Sequence, residues 1–298
     1  MKHLFIINPA AGSRDRTKEY KKAIVEACQG LDYRVEVSAG PGDCTRLAAE
    51  AAESGEEYRI YACGGDGTLN EVAAGAAGCP NAAVTVFAGG SGNDFVRLFS
   101  EPQAFRNLHR LLDAQERELD LIRCNDSLSV NICSVGLDAR IGTDVASYKR
   151  VPLLQGFWAY AASAAVNVIK GIAEPLEVEI CGQVLAGEMT MVCVCNGRYY
   201  GGGFCPVPEA DPADGMLEVL LVDKVRRYQV PGLIGKYKAG RYRELPRYIR
   251  HFRTDRLTIR AKGPTAINLD GELRRAEEIH ISLAEEKLRF FYPKGLTW

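Results

Sequence analysis

The feature that most constrains the fold is a glycine-rich turn that joins an apolar strand to a helix. Tyr58 to Cys63 is a short run of strand-forming residues, and Gly-Gly-Asp-Gly-Thr follows it directly at positions 64–68. Leu69 to Ala77 then has helical composition. A strand that turns through glycines into a helix is the unit from which parallel sheets with covering helices are built. The turn therefore predicts an α/β domain around it.

The same order of elements repeats along the first 124 residues. Strand-like and helix-like runs alternate there: strands at 3–7, 34–38, 58–63 and 83–87, helices at 17–28, 44–53 and 69–77, and a second glycine turn at 89–92. Such alternation predicts an N-terminal α/β domain, residues 1–124, with a parallel sheet.

The rest of the chain has a different pattern. Between 125 and 285 most apolar runs are short and are separated by Gly and Pro turns, and one helical run spans about 152–172. Many short strands joined by turns predict an antiparallel β-sandwich. The predicted fold class is therefore an α/β domain followed by a β domain.

Composition narrows the class of protein. With 298 residues, 47% of them hydrophobic, the chain can bury two cores. The net charge of −1 argues against a nucleic-acid coat, so no nucleic-acid partner is expected. There is no run of about 18 apolar residues and no signal-peptide pattern, and the ten cysteines form no C-x-x-C pair. We expect a cytoplasmic protein with free thiols and no zinc site.

The first glycine turn has the composition of a phosphate-binding loop. Glycines let several backbone N–H groups point toward one anion, and the helix that follows adds the positive end of its dipole. Thr68 adds a hydroxyl donor. A carboxylate beside phosphates would repel them, so Asp66 is interpreted as a ligand of Mg²⁺ or of a water network. The structural alternative is a tight turn with an aspartate cap.

The second glycine turn, Gly-Gly-Ser-Gly-Asn-Asp at 89–94, also follows a strand. The carboxyl ends of parallel strands meet at one edge, where such sheets bind ligands. We therefore expect the two turns to face one crevice, with Asp94 beside Asp66. The P-loop motif, an early G-x-G-x-x-G and the protein-kinase motifs are absent, which argues against those classes of nucleotide-binding protein.

Two carboxylate turns lie in the second predicted domain. Leu-Asp-Gly-Glu at 269–272 places Asp270 and Glu272 around a glycine, and one of them could accept a proton from a hydroxyl that attacks a phosphate. Asp211 and Asp214, with neighbouring carbonyls, could hold a hard cation. Each turn could also be an ordinary hairpin or Asp-Gly turn.

Positive charge is concentrated in residues 224–262. This segment holds 13 Lys and Arg but only Glu244 and Asp255 as acids, and tyrosines are interspersed among the charges. Basic and aromatic residues together are typical of a surface that faces anionic lipid headgroups. A solvated helix and loop, or an RNA-binding surface, are the alternatives.

Taken in order, these residues resemble one family, and the resemblance covers nearly the whole chain. The motifs are Asn8-Pro9 with Gly12, Gly64 to Glu71, Gly92-Asn93-Asp94-Phe95, Asp120, Asp214-Gly215 and Leu269 to Glu272. The set resembles the soluble bacterial diacylglycerol kinase family, which also contains the catalytic domains of eukaryotic diacylglycerol, sphingosine and ceramide kinases.

The resemblance implies two domains, 1–124 binding ATP and 125–285 binding a lipid, with the last strand, about 286–298, packed back onto the first. ATP would lie along Asn8, Pro9, Gly12, Ser38, Gly64, Gly65, Asp66, Gly67, Thr68, Leu69, Asn70, Glu71, Ser91, Gly92 and Asn93. The implied Mg²⁺ groups are Asp66, Asp94 and Asp120 through water, and a structural loop of Asp214 with the carbonyls of Asp211 and Met216. Asp270 or Glu272 would be the catalytic base.

Diacylglycerol, giving phosphatidic acid for phospholipid biosynthesis, is the acceptor that this resemblance favours. The alternatives are another lipid alcohol (a sphingoid base, ceramide or phosphatidylglycerol), a soluble acceptor as in NAD kinases, or a non-catalytic nucleotide- or lipid-binding regulator. A lipid acceptor implies peripheral membrane contact, which we assign to the basic segment 224–262. A homodimer is left open.

Overall fold

The computed structural model describes residues 1–89, 93–141 and 172–298, and the chain forms two compact units. The first unit comprises Met1–Leu121, Tyr199–Gly203 and Ala284–Trp298, and the second comprises Ile122–Arg198 and Phe204–Leu283. The predicted helical block 152–172 lies, except for its last residue, outside the described residues.

The first unit is built on a six-stranded sheet in the order β2-β1-β3-β4-β15-β5. Its strands are β1 (Lys2–Ile7), β2 (Tyr33–Val37), β3 (Tyr58–Gly64), β4 (Ala82–Ala88), β5 (Ala114–Leu119) and the final strand β15 (Leu288–Pro293). All neighbours are parallel except β15 and β5. Every residue of β4 is buried, as expected for a central strand that is covered on both faces.

Helices connect the parallel strands. They are α1 (Thr17–Ala27), α2 (Asp43–Glu53), α3 (Asp66–Ala76) and α4 (Leu108–Leu112), with 3₁₀ turns at Phe95–Leu98 and Pro102–Arg106. Within the described residues, no helix is long and apolar enough to cross a bilayer.

The last strand completes the core of the first unit. Phe290 and Phe291 are fully buried neighbours on β15, so their rings lie on opposite faces of the sheet. The Phe291 ring is 5.0 Å from that of Tyr61, and the Phe290 ring is 5.3 Å from that of Phe95. Burying each ring contributes roughly 1.5–3 kcal/mol, so β15 is an integral part of this unit.

The second unit contains a nine-stranded antiparallel sheet. Its strands are β6 (Ile122–Cys124), β7 (Ser127–Ser129), β8 (Ile132–Gly136), β9 (Glu174–Ile180), β10 (Gln183–Cys195), β11 (Leu217–Asp223), β12 (Ile249–Thr254), β13 (Arg256–Leu269) and β14 (Glu272–Leu283). Helix α5 (Val230–Lys238) and 3₁₀ turns at Arg227–Gln229 and Tyr242–Glu244 lie between β11 and β12. The predicted fold class, an α/β domain followed by an antiparallel β domain, is confirmed.

Two long strands organise this second sheet. The first part of β10 pairs with β9 and its last part with β8, and β13 pairs with the same two strands in the same way. β8 and β9 therefore follow one another between β10 and β13. Both long strands shift register between these two partners, at Met189/Met191 and at Arg260/Thr265. A bulge accommodates the change of partner without ending the strand.

The structure differs from the predicted segments in two places. The chain leaves the first sheet where β5 ends at Leu119 and enters the second sheet where β6 begins at Ile122. The division between the units therefore falls at 121/122 rather than 124/125, and Tyr199–Gly203 groups with the first unit. Strand β12 was missed because its arginines and histidine obscure the alternating apolar pattern.

A close contact between α2 and α3 generates a stability prediction. A Cβ added at Gly75 would overlap the Thr45 carbonyl oxygen and approach Ala48 Cβ to 2.9 Å. Gly75→Ala should therefore destabilise the protein by roughly 1–3 kcal/mol in chemical denaturation. Gly235→Ala in α5, where a Cβ meets nothing within 4 Å, is the control and should be neutral or stabilise by up to about 1 kcal/mol. Equal stability of the two variants would contradict this prediction.

Candidate functional site

Four loops leave the first sheet at one edge. They begin at Asn8 after β1, Ser38 after β2, Gly65 after β3 and Gly89 after β4, and these four parallel strands are neighbours. The carboxyl ends of the strands therefore place the loops side by side, as the sequence predicted. Backbone bonds link them: Ser38 N donates to Ile7 O at 2.9 Å, and Gly89 N to Gly64 O at 3.0 Å.

The first loop is joined to the glycine turn through side chains. Asn8 Nδ2 donates to Thr68 Oγ1 at 3.1 Å, and Asn8 Oδ1 accepts from Ala10 N at 3.0 Å. Thr68 is buried directly against Gly64, where any Cβ would collide with the threonine side chain. Glycine at position 64 is therefore required for this packing.

The amino end of α3 is open to an anion. Gly65 is its N-cap residue, and no side chain caps it within the described part of the chain. Gly67 in the first turn is exposed. The first N–H groups of a helix have no partner inside the helix and carry positive partial charge. This end of α3 therefore has the backbone donors of a phosphate site.

Other predicted nucleotide residues have structural roles. Glu71 Oε2 accepts from Gly42 N at 3.1 Å, so this carboxylate holds the loop before α2. Leu69 and Asn70 are buried, and Leu69 N donates to Gly65 O at 3.0 Å within the helix. Pro9 and Gly12 belong to the Asn8 loop, and Gly12 has φ of 87°. Ser91 and Gly92 lie outside the described residues.

The start of the second glycine turn is held from the side of α1. Arg16 Nη1 donates to Gly89 O at 2.7 Å, and the Tyr20 hydroxyl occupies the space that a Cβ at position 89 would need. Asn93 is buried with φ of 47°. Position 89 therefore requires glycine because the Tyr20 side chain approaches it closely, and the sequence alone does not reveal this contact.

Asp66 ties the two glycine turns together. Its Oδ2 accepts from Asp94 N at 3.0 Å and its Oδ1 accepts from Phe95 N at 3.1 Å. Both carboxylate oxygens are therefore engaged by the second turn. The prediction that Asp66 and Asp94 lie side by side agrees with this geometry.

Asp94 connects the second turn to the glycine run at 201–203. Its Oδ2 accepts from Gly202 N at 2.6 Å, and Arg97 Nε lies 3.1 Å from Oδ1. Burial raises the pKa of Asp94; the Gly202 N–H opposes the rise, the Asp66 carboxylate adds to it, and Arg97 opposes it. Gly202 and Arg97 were not predicted as site residues, although three consecutive glycines at 201–203 were a signal for backbone approach.

The donor set around Asp66 and Asp94 fits a hard cation held through water. Two carboxylates whose charges interact are the oxygen ligands that Mg²⁺ prefers. Asp94 Oδ1 is buried and, apart from its ion pair with Arg97, accepts no hydrogen bond from a described residue. Among the described residues, no three acids, histidines or cysteines lie close enough together to coordinate one metal ion directly.

Asp120 is directed to a different partner. It is 3% exposed and forms an ion pair with Lys287, which lies 167 residues further along the chain. Lys287 neutralises this carboxylate, and a role of Asp120 toward Mg²⁺ stays a prediction. Lys287 was not predicted, since nothing in the sequence pairs it with Asp120.

In the second unit, Asp270 is enclosed by hydrogen-bond donors. Its Oδ2 accepts from Ser129 Oγ at 2.8 Å and from the backbone N–H groups of Val130 and Asn131, both at 2.9 Å. Its Oδ1 accepts from Ile132 N at 2.8 Å. Such a set of donors stabilises the ionised carboxylate. Asp270 thereby fixes the loop between β7 and β8.

Glu272 stands in a different environment on the same turn. It is partly exposed at the start of β14, and Arg274 Nη2 lies 2.9 Å from its Oε2. Asp270 itself has φ of 48°, and Gly271 N donates to Asn268 Oδ1 at 2.8 Å, so the turn between the two acids is well defined. The turn presents one enclosed and one accessible carboxylate.

The predicted cation loop at 211–216 is a hydrogen-bonded turn. Asp211 Oδ1 accepts from Ala213 N at 3.1 Å, and Asp214 Oδ1 accepts from Met216 N at 3.0 Å. Asp214 Oδ2 faces Arg253 Nη2 at 2.5 Å, so an arginine from β12 neutralises this carboxylate. Its contacts are those of an Asp-Gly turn, and a structural Mg²⁺ here stays a prediction.

Comparison with known proteins places this geometry in context. Residues 2–124 match the family model described as diacylglycerol kinase catalytic domain, and residues 131–291 match that described as YegS C-terminal NAD kinase beta sandwich-like domain. A Pseudomonas aeruginosa protein named "Probable lipid kinase YegS-like" is 27% identical over 292 residues, covering 95% of this chain and 93% of that protein. A crystal structure described as a diacylglycerol kinase from Bacillus anthracis superimposes with a TM-score of 0.69 at 21% identity, covering 98% and 97% of the two chains.

The unequal environments of Asp270 and Glu272 predict unequal effects on stability. Asp270→Asn removes the charge and turns an amide N–H toward backbone donors, so it should lower the free energy of unfolding by about 1.5–3 kcal/mol. Glu272→Gln should change it by less than about 0.5 kcal/mol. Chemical denaturation of both variants measures the difference. If Asp270→Asn is as stable as the wild type, the four donors do not anchor this loop.

Proposed function

Because the chain belongs to the lipid kinase family that joins a diacylglycerol kinase catalytic domain to a YegS-type C-terminal domain, we propose that it transfers the γ-phosphoryl group of ATP to a lipid hydroxyl. Diacylglycerol is the proposed acceptor and phosphatidic acid the product. The observation that carries this proposal is the pair of linked glycine turns, with an open helix end beside Asp66 and Asp94.

The first unit would bind the nucleotide phosphates. Backbone N–H groups at the amino end of α3 would hold phosphate oxygens and stabilise the charge that develops during transfer. Asp66 keeps the second glycine turn beside this helix end through Asp94 N and Phe95 N. Mg²⁺, when bound through water at Asp66 and Asp94, supplies charge neutralisation at the phosphates.

The second unit would supply the proton acceptor. In-line transfer requires that the attacking hydroxyl lose its proton, and a carboxylate within hydrogen-bond reach can take it. Asp270 and Glu272 are the candidates. Asp270 accepts four hydrogen bonds from the loop between β7 and β8, whereas Glu272 is partly exposed and has Arg274 beside it.

A lipid-phosphorylation assay tests the proposed function. With γ-labelled ATP, Mg²⁺ and mixed micelles of candidate lipids, we expect label in phosphatidic acid. Asp66→Asn should lower turnover by more than about 100-fold for two reasons. It weakens the hydrogen bonds that join the two glycine turns, and it removes a negative charge at the proposed metal position. Asp113→Asn, an exposed aspartate paired with Lys294, is the matched control and should have wild-type turnover.

The identity of the labelled product decides among the alternatives. Label in another lipid would keep the reaction and change the acceptor to a sphingoid base, ceramide or phosphatidylglycerol. Label only in a water-soluble product would favour a soluble acceptor, as the NAD kinase-like description of the second domain allows. ATP binding without any phosphorylated product would indicate a regulator and contradict the proposal.

Glu272→Gln separates the two candidate bases. If Glu272 takes the proton, this variant should lose about 10²–10⁴-fold in kcat while keeping the wild-type unfolding midpoint. Glu277→Gln, an exposed acid on the same strand, serves as the control. Near-normal turnover of Glu272→Gln would assign the base to Asp270. The test uses Glu272 because Asp270→Asn would lose activity through the displaced loop as well as through the chemistry.

A further inference from the structure

The basic segment 224–262 is not uniformly charged in the folded protein. Most of its cations pair with carboxylates, and the pairs are Lys224–Glu188, Lys236–Glu244, Arg241–Glu244, Arg243–Glu209, Arg250–Asp223, Arg253–Asp214, Arg256–Asp255 and Arg260–Glu278. Neutralised pairs attract anionic surfaces weakly. Within the described residues, the cations of this segment that form no ion pair are Arg226, Arg227, Lys238, Arg247 and Lys262.

Three of these five cations lie in the stretch from Arg226 to Lys238, here called the docking face. Arg226 contacts the Tyr228 hydroxyl at 3.1 Å, and Lys238 lies over the Phe204 ring at 5.3 Å from its centroid. Neither these two cations nor Arg227 forms an ion pair within the described part of the chain. No acid occurs between 224 and 238, so the docking face is positively charged.

The solvent side of α5 within the docking face carries apolar residues next to a lysine. Pro231, Ile234 and Lys238 are exposed at helical spacing, and Ile234 is 41% exposed. Tyr228, just before the helix, is 72% exposed. The solvent side of a helix is normally polar, so an apolar side flanked by cations indicates a partner.

The opposite side of α5 is already occupied. Tyr237 is buried, and Val230 and Leu233 pack against a cluster that includes Val225 and Leu137. The exposed apolar residues are therefore not the inner face of a displaced helix. They are additional to the side that packs on the protein.

We propose that the docking face, residues 226–238, binds the surface of an anionic phospholipid bilayer. Tyr228 and Ile234 would enter the headgroup region, while Arg226, Arg227 and Lys238 would lie at the phosphates. This combination of apolar residues and free cations on one short amphipathic element is what interfacial binding requires. The proposal rests on the proposed function in that a lipid kinase must reach an acceptor in a membrane.

Vesicle sedimentation tests the docking face without reference to catalysis. The wild type should bind phosphatidylcholine–phosphatidylglycerol vesicles more tightly than phosphatidylcholine vesicles, and salt should weaken the binding. Arg226→Gln with Arg227→Gln should weaken it by roughly 5-fold per charge, about 25-fold together. Tyr228→Ser with Ile234→Ser should weaken it by at least about 10-fold. Equal binding to both kinds of vesicle would overturn the proposal.

Matched surface variants control for unspecific effects. Lys18→Gln with Lys21→Gln removes two exposed cations of α1, and Val184→Ser removes an apolar side chain that is 61% exposed on β10. Both should bind vesicles as the wild type does, and all four variants should keep the wild-type unfolding midpoint. If the docking-face variants bind vesicles as tightly as these controls do, the proposal is wrong. It is also wrong if the wild type binds RNA but does not bind vesicles.

Failure of the docking face and failure of the proposed function are distinguishable. Docking-face variants should phosphorylate lipid in detergent micelles at the wild-type rate and lose rate only on vesicles. Lipid phosphorylation together with vesicle binding that ignores these variants would overturn the docking face alone. Vesicle binding through the docking face without any lipid phosphorylation would overturn the proposed function alone.

Discussion

The Asp66 carboxylate is the contact on which the phosphate side of the site depends. It follows the glycine turn after β3 and accepts the backbone N–H groups of Asp94 and Phe95, which follow the glycine turn after β4. Two loops rich in glycine have high conformational freedom, and one charged acceptor with two donors restrains both. Asp94 then extends the restraint to Gly202. An open helix end and two adjacent acids are thereby held in one place.

The second unit fixes its carboxylate turn by the same physical means. Asp270 receives donors from the loop between β7 and β8, just as Asp66 receives donors from the second glycine turn. In both units an aspartate orients backbone that a ligand would meet. Glu272, on the same turn, has no such set of backbone donors and is partly exposed.

Charge along the sequence and charge on the surface differ in this protein. The segment 224–262 contains a large excess of cations, yet acids from β9, β10, β11 and β14 neutralise many of them. Antiparallel pairing brings distant strands into register, so the acids that balance a basic strand come from other parts of the chain. Among the cations that form no ion pair within the described residues, Arg226, Arg227 and Lys238 lie in or next to a short helix that exposes Ile234.

The sequence by itself determined the alternation of strands and helices, the two glycine turns and their common edge, and the antiparallel second unit. These follow from local periodicity and from glycine's conformational freedom, which adjacent residues carry. Only the tertiary structure decided which partner each carboxylate has. Asp120 meets Lys287, Asp214 meets Arg253, and Asp270 meets the backbone of a loop far from it in the chain. Such partners depend on strand order and register, which join residues 39 to 167 positions apart and leave no local pattern to read.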